Sequence, residues 1–231
     1  MSSPRLEGNK MRKRGTIILF AVWVFLCLGQ GHHSALSQDR NGPQNQDDKV
    51  KKFLENHKSE WSDWNIPEAD GKVLYDLIIK NNYRRALEIG TSTGRSAIWM
   101  AWALSKTGGK LITIEIDEGR HGQALKNFEE SGLSPYIDAR LADAHRLVKQ
   151  LEGPFDFVFS DADKDWYKNY FMILAPKLAK GGCFTAHNVS HRYWSGIGEF
   201  LDYVEGLPNF ETTINRASSE GISISYKRAE N

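Results

Sequence analysis

Apolar and polar positions alternate between two rhythms along most of the chain. Arg85–Gly90 (RALEIG) is a short apolar run closed by glycine, the pattern of a buried strand. Thr93–Ser105 then carries Ile98, Ala101, Trp102 and Leu104 at helical spacing. Lys110–Asp117 (KLITIEID) is β-branched and alternating, so it predicts a strand, and Glu118–Ser131 predicts a helix closed by Gly132. The same reading gives strands over Tyr136–Ala142, Phe155–Ser160 and Cys183–Ala186. It gives helices over Asp143–Leu151, Trp166–Leu178 (stopped by Gly181-Gly182) and Ile197–Val204. Phe210–Asn215 and Ile222–Lys227 are two final strands with no room for a helix between them, so they pair antiparallel. Phe53, Leu54, Val73, Leu74, Leu77 and Ile78 form the core faces of two leading helices. Repeated β–α alternation predicts an α/β fold: a seven-stranded, mostly parallel sheet with an antiparallel last strand and helices on both faces. Crossovers are right-handed, and ligands bind beyond the carboxyl ends of the strands.

The N-terminus follows neither rhythm. Arg12-Lys13-Arg14 precede an uncharged run of 13 residues, Thr16–Leu28, and then Ala35-Leu36-Ser37. A basic start, an apolar stretch and a small-x-small end form a secretory signal pattern. As a helix the run spans roughly 20 Å against a hydrocarbon core of about 30 Å, which favours a cleaved signal over a spanning anchor. Residues 1–37 are therefore expected to be a signal peptide, or a signal anchor if uncleaved, and the protein exported. Membrane association is expected only in the uncleaved form. Residues 38–47, polar with Gly and Pro, read as a linker, and 48–231 as the folded domain.

Composition narrows the functions. Of the 231 residues 40% are hydrophobic, enough for a core, which excludes a wholly disordered chain. The net charge is +1, which argues against nucleic acid as a partner. It is unevenly spread: Arg5, Lys10, Arg12, Lys13 and Arg14 against Glu7 give the first 37 residues +4, so the remainder carries −3. Cys27 and Cys183 are the only cysteines, too few for a zinc cluster or a disulfide framework.

Chemistry is expected at the strand ends. Glu88-Ile-Gly-Thr-Ser-Thr-Gly94 leads into a helix whose first N–H groups can meet an anion. The loop lacks the G-x-G-x-x-G pattern, since position 92 is Ser, so a nicotinamide dinucleotide is disfavoured. Glu115 ends the second strand 21 residues after Gly94, the position of an acidic residue that takes ribose hydroxyls. Asp143 and Ala144 follow the third strand, where a base is met. Asp161, Asp163 and Lys164 follow the fourth, and His187 and Asn188 the fifth. Asp161, His187 and Asn188 converge from neighbouring strands, and a carboxylate, an imidazole and an amide oxygen can hold a cation.

These residues carry a resemblance. The stretches Leu87–Ser96, Leu111–Asp117, Phe155–Tyr167 and Ala186–Val189 are similar to the cation-dependent O-methyltransferases that use S-adenosylmethionine, of the catechol and caffeoyl-CoA type. The likeness covers nearly all of residues 50–228. It implies a Rossmann-like class I methyltransferase fold and a small-molecule substrate with a phenolic or catechol-like hydroxyl. It implies that Glu88, Gly90 and Ser96 contact the methionine part of the cofactor, with Asn65-Ile66 closing over that end. Glu115 would hold the ribose, and Asp143 and Ala144 the adenine edge. Asp161 would serve cofactor and metal, Asn188 metal and substrate, and Lys164 would be the base that deprotonates the attacking hydroxyl.

One residue departs from the family pattern: His187 stands where the family has Asp. Magnesium and calcium want oxygen ligands, whereas Asp, His and Asn suit manganese, iron or zinc. Either the divalent cation differs, or it binds weakly, or His187 acts as a base without metal. A carboxylate that contacts the diol in the family has no clear match between Asn209 and Glu220. Trp61, Trp64, Trp166 and Trp194 are candidates to wall an aromatic substrate; His57, His121, His145 and His191 read as surface or capping residues. Two rival functions stay open, a metal-independent small-molecule methyltransferase and an exported binding domain that kept the fold and lost its catalysis.

Overall fold

A computed structural model describes residues 42–194 and 196–228. The expected signal segment, residues 1–37, lies outside them. Among the described residues no helix is long and apolar enough to cross a membrane.

The elements run α1 (Gly42–Asn56), α2 (Glu68–Asn81), β1 (Arg85–Ile89), α3 (Arg95–Thr107), β2 (Lys110–Glu115), α4 (Glu118–Ser131), β3 (Ile137–Leu141), α5 (Ala144–Gln150), β4 (Phe155–Ser160), α6 (Tyr167–Leu174), β5 (Leu178–His187), α7 (Ile197–Glu205), β6 (Phe210–Asn215) and β7 (Ile222–Lys227). They build one seven-stranded sheet ordered β3-β2-β1-β4-β5-β7-β6. Neighbours from β3 to β5 are parallel, and β7 runs antiparallel to both β5 and β6. Strand order reverses between β1 and β4, so the crevice at their carboxyl ends is the place for a ligand.

Side chains alternate across the sheet and feed two cores. Along β4, Phe157 and Phe159 join the cluster under α1–α4 (with Leu74, Ile98 and Phe128), and Phe155 and Val158 join the other (with Phe171, Phe184 and Phe200). Each fully buried Phe contributes roughly 1.5–3 kcal/mol.

Three boundaries differ from expectation by more than two residues. Gly42–Asp47, expected to be linker, is the first part of α1. Polar composition is overridden there by anchoring: Trp102 Nε1 donates to Asp47 Oδ1 at 2.6 Å, and Gln46 Nε2 donates to Ser131 O at 3.1 Å. α6 stops at Leu174, not Leu178, because Pro176 brings no N–H and the chain passes into a tight turn over Ala175–Lys177. β5 begins at Leu178, well before Cys183: Gly181-Gly182 lies inside the strand, where pairing with β4 shifts register between Phe155 and Phe157. A glycine pair at a bulge reads like a loop in sequence.

Candidate functional site

The loop after β1 brings three strand ends together. Gly90 has φ +93°, and a Cβ there would stand 2.5 Å from the Asp161 carbonyl oxygen, so the exits of β1 and β4 approach as only glycine allows. Ser92 takes the left-handed region (φ +50°) and aims its N–H at Glu115 Oε2, 2.7 Å away. Glu115 Oε1 accepts the N–H groups of Ile116 (3.0 Å) and Asp117 (2.9 Å) and lies 3.5 Å from Arg120 Nε. Three backbone donors therefore fix this carboxylate at the end of β2. Asp143 caps α5 by accepting the His145 N–H at 2.9 Å.

These ends open onto a cavity of about 910 Å³. Of the residues expected in a site, Gly90, Glu115, Asp143, Ala144, Asp161, Lys164, His187 and Asn188 line it. Ile66, Glu88 and Ser96 are not among the residues that line it. Ile66 packs in the core and gives its carbonyl to Arg95 Nη1 at 2.9 Å, while Asn65 and Pro67 on either side reach the cavity. Ser96 is buried in the first turn of α3. Glu88 is fully buried: Thr113 donates to Oε2, and Oε1 has no partner. Burial pushes its carboxyl up to about 8. An unpartnered buried carboxyl oxygen behind a glycine-floored cavity, with a fixed carboxylate at the β2 end, fits an adenosyl cofactor bearing an ammonium group.

At the other end of the cavity four charged side chains form a row. His187 Nε2 is 2.8 Å from Asp70 Oδ2, and Nδ1 is 3.1 Å from Asp161 Oδ2. Lys164 Nζ donates to Asp161 Oδ1 at 2.7 Å. Burial disfavours the charge on His187, but Asp161 and Asp70 raise it to about 9. Burial likewise opposes the charge on Asp161, and His187 and Lys164 hold its pKa below the ordinary carboxylate value. Asn188, in the left-handed region (φ +59°), donates from Nδ2 to Glu220 Oε2 at 2.8 Å. That bond, beside His191, keeps the Glu220 carboxyl low. Trp64, Ser92 and Asn188, three of the four non-glycine residues with positive φ among the described residues, line this cavity. Such conformations gather at functional sites.

Of the side chains expected to share a divalent cation, Asp161 and His187 meet and Asn188 pairs with Glu220, so each is already engaged. Both His187 ring nitrogens face carboxylates, and the two Asp161 oxygens face His187 and Lys164. With no ring nitrogen to offer, the set does not fit a divalent cation.

Asp70 and Glu220 were not legible as site residues. Asp70 lies in a helix first turn, where an acidic residue is ordinary, and only tertiary packing brings it to β5. Glu220 had a topological signal: β6 runs parallel to β5, so the turn into β7 returns to the carboxyl edge. His145 is 35% exposed, lines the cavity and stacks on Trp166 at 3.8 Å. Trp64 and Trp194 line the cavity, whereas Trp61 packs on Phe53 in the core and Trp166 lies behind His145.

Comparison with known proteins agrees with this geometry. A family profile described as O-methyltransferase matches residues 44–202. Catechol O-methyltransferase of Niastella koreensis is 39% identical over 128 residues, covering 54% of this chain and 58% of that protein. Caffeoyl-CoA O-methyltransferase 1 of Eucalyptus globulus is 31% identical over 168 residues, covering 67% of each. The solved O-methyltransferase of Bacillus cereus in complex with SAH matches with a TM-score of 0.67 at 26% identity, over 78% of this chain and 91% of that one.

Proposed function

The chain belongs to the O-methyltransferase family, and on that premise we propose that it moves a methyl group from S-adenosylmethionine to a hydroxyl of a small phenolic molecule. The observation that carries the proposal is one cavity holding both halves of such a site. Glu115, Asp143 and Ala144 line one end, and Asp161, Lys164, Asn188 and Glu220 the other.

Glu115 keeps lone pairs for ribose hydroxyls while its backbone donors hold it still, and Asp143 and Ala144 border the place for the adenine. The cofactor, when bound, supplies an electrophilic methyl on a sulfonium. The chain's residues then orient the acceptor and manage its proton. Holding the phenol oxygen in line with the methyl removes much of the entropic barrier. A free phenol titrates near pH 10 and a free lysine amine near 10.4, so a proton passes between them at little cost. Lys164, an ammonium while it holds Asp161, gives a proton to solvent and as the free amine at the substrate end takes that of the phenol. Asn188 and Glu220 offer an amide and a carboxylate to a second hydroxyl, and Trp64 and Trp194 flank a flat ring.

The basic, apolar and small-residue pattern of residues 1–37 supports export of residues 38–231. N-terminal sequencing of the secreted chain checks it: a start at Gln38 is expected, and retention of Met1 inside the cell contradicts it.

Lys164→Met tests the catalytic assignment. Turnover is expected to fall by about 10²–10⁴-fold, the range for loss of a general base, with cofactor affinity unchanged. Full turnover in this variant contradicts the role given to Lys164.

A further inference from the structure

The row Asp70–His187–Asp161–Lys164 answers the question raised by His187. The ring is buried, with Nε2 at 2.8 Å from Asp70 Oδ2 and Nδ1 at 3.1 Å from Asp161 Oδ2. Its surroundings are built to hold it. Ser218 Oγ donates to Asp70 Oδ2 at 2.6 Å from the β6–β7 turn. Tyr167 Oη donates to the His187 carbonyl at 3.2 Å, which fixes the end of β5. Lys164 satisfies the far oxygen of Asp161 at 2.7 Å.

Between a ring nitrogen and a carboxyl oxygen at this distance one hydrogen must lie, because otherwise two lone pairs meet, and an ionised carboxylate leaves it on the nitrogen. Both nitrogens of His187 face one, so the ring that suits this setting is an imidazolium. Two carboxylates and two cations then alternate, and the row sums to zero charge. A divalent ion entering here would have to expel a proton from His187 and part Lys164 from Asp161. Aspartate at 187 would instead leave three carboxylates against one ammonium, a set that attracts a cation.

We propose that this protein carries its cation as a side chain: the His187 imidazolium, held between Asp70 and Asp161, takes the place of the divalent ion, and Asp70 is its positioning residue. The inference rests on the methyltransferase reading of the cavity. The imidazolium borders the substrate end, where its charge lowers the cost of a phenolate.

Manganese is the probe. It is titrated into the purified full chain with SAH present, and free Mn²⁺ is followed by electron paramagnetic resonance. The wild type is expected to show no stoichiometric site at micromolar Mn²⁺, and His187→Asp to bind one ion at least tenfold more tightly. Nitrogen-15 NMR of histidine-labelled wild type is expected to show both His187 ring nitrogens protonated at neutral pH, unchanged by Mn²⁺. This second measurement decides the matter if His187→Asp does not fold. Stoichiometric micromolar Mn²⁺ binding by the wild type overturns the proposal. So does an unprotonated Nδ1 with Asp70 holding the other nitrogen, the arrangement of a metal-ligating histidine. SAH binding is read in the same samples, and its absence counts against the methyltransferase reading, separately from the manganese result.

Discussion

Single residues at the site are set by a few strong local constraints. Gly90→Ala must place a Cβ 2.5 Å from the Asp161 carbonyl at φ +93°. The variant is expected to lose about 1–3 kcal/mol of stability, the usual scale of such strain, together with cofactor affinity. Equal denaturant midpoints for variant and wild type contradict that. Glu88 makes a prediction about pH. Its carboxyl is raised from 4.5 to about 8, so the native state keeps a proton that the unfolded chain releases at lower pH. The associated stability is present below about pH 4.5 and is lost as pH rises towards 8. Melting temperature is expected to fall across that window in the wild type, and Glu88→Gln to flatten part of the slope. An identical slope in the variant rules this out. At this scale the sequence was informative wherever a residue type at a strand end has few other uses. Glu115, Asp161 and Lys164, expected on that ground, line the cavity. Asp70 and Glu220 were not expected, because an acid in a first helical turn or beside a hairpin looks the same with or without a site.

At the scale of elements, β4, β6, β7 and α4 have the limits their patterns predict. The end of α4 is marked by an unambiguous stop, Gly132 at φ +75°. The misread elements are those where a punctuating residue has two meanings. Pro176 turned the end of α6 into a tighter coil, and Gly181-Gly182 bulged a strand instead of ending one. The linker reading failed at Gly42–Asp47 because helix formation there depends on Asp47 and Gln46 meeting distant partners. Packing between α6, α7, β5 and β6 centres on Phe171, whose ring meets Phe184 at 5.1 Å and Phe210 at 4.9 Å. Phe171→Ala is expected to cost about 3–5 kcal/mol. Urea denaturation measures it, and a loss below about 1 kcal/mol would mean that this face repacks freely.

For the described part of the molecule, the switch between β1 and β4 decides where chemistry can occur. Glu115, Asp143, Ala144, Asp161, Lys164, Asn188 and Glu220, the residues proposed to meet cofactor and acceptor, lie along one edge of the sheet and line one cavity. The parallel sheet and its active edge were legible because β–α alternation is periodic and long. The state of His187 was not, since it depends on Asp70 reaching it from α2, 117 residues away in sequence. On the proposed reading, the cofactor site of this methyltransferase works without a divalent ion. Calorimetric titration of S-adenosylmethionine into the purified chain, first in chelator and then with manganese or magnesium, tests it most directly. Micromolar binding, about −8 kcal/mol, is expected at the same strength in all three conditions. Binding that needs the metal, or no binding in any condition, would contradict it.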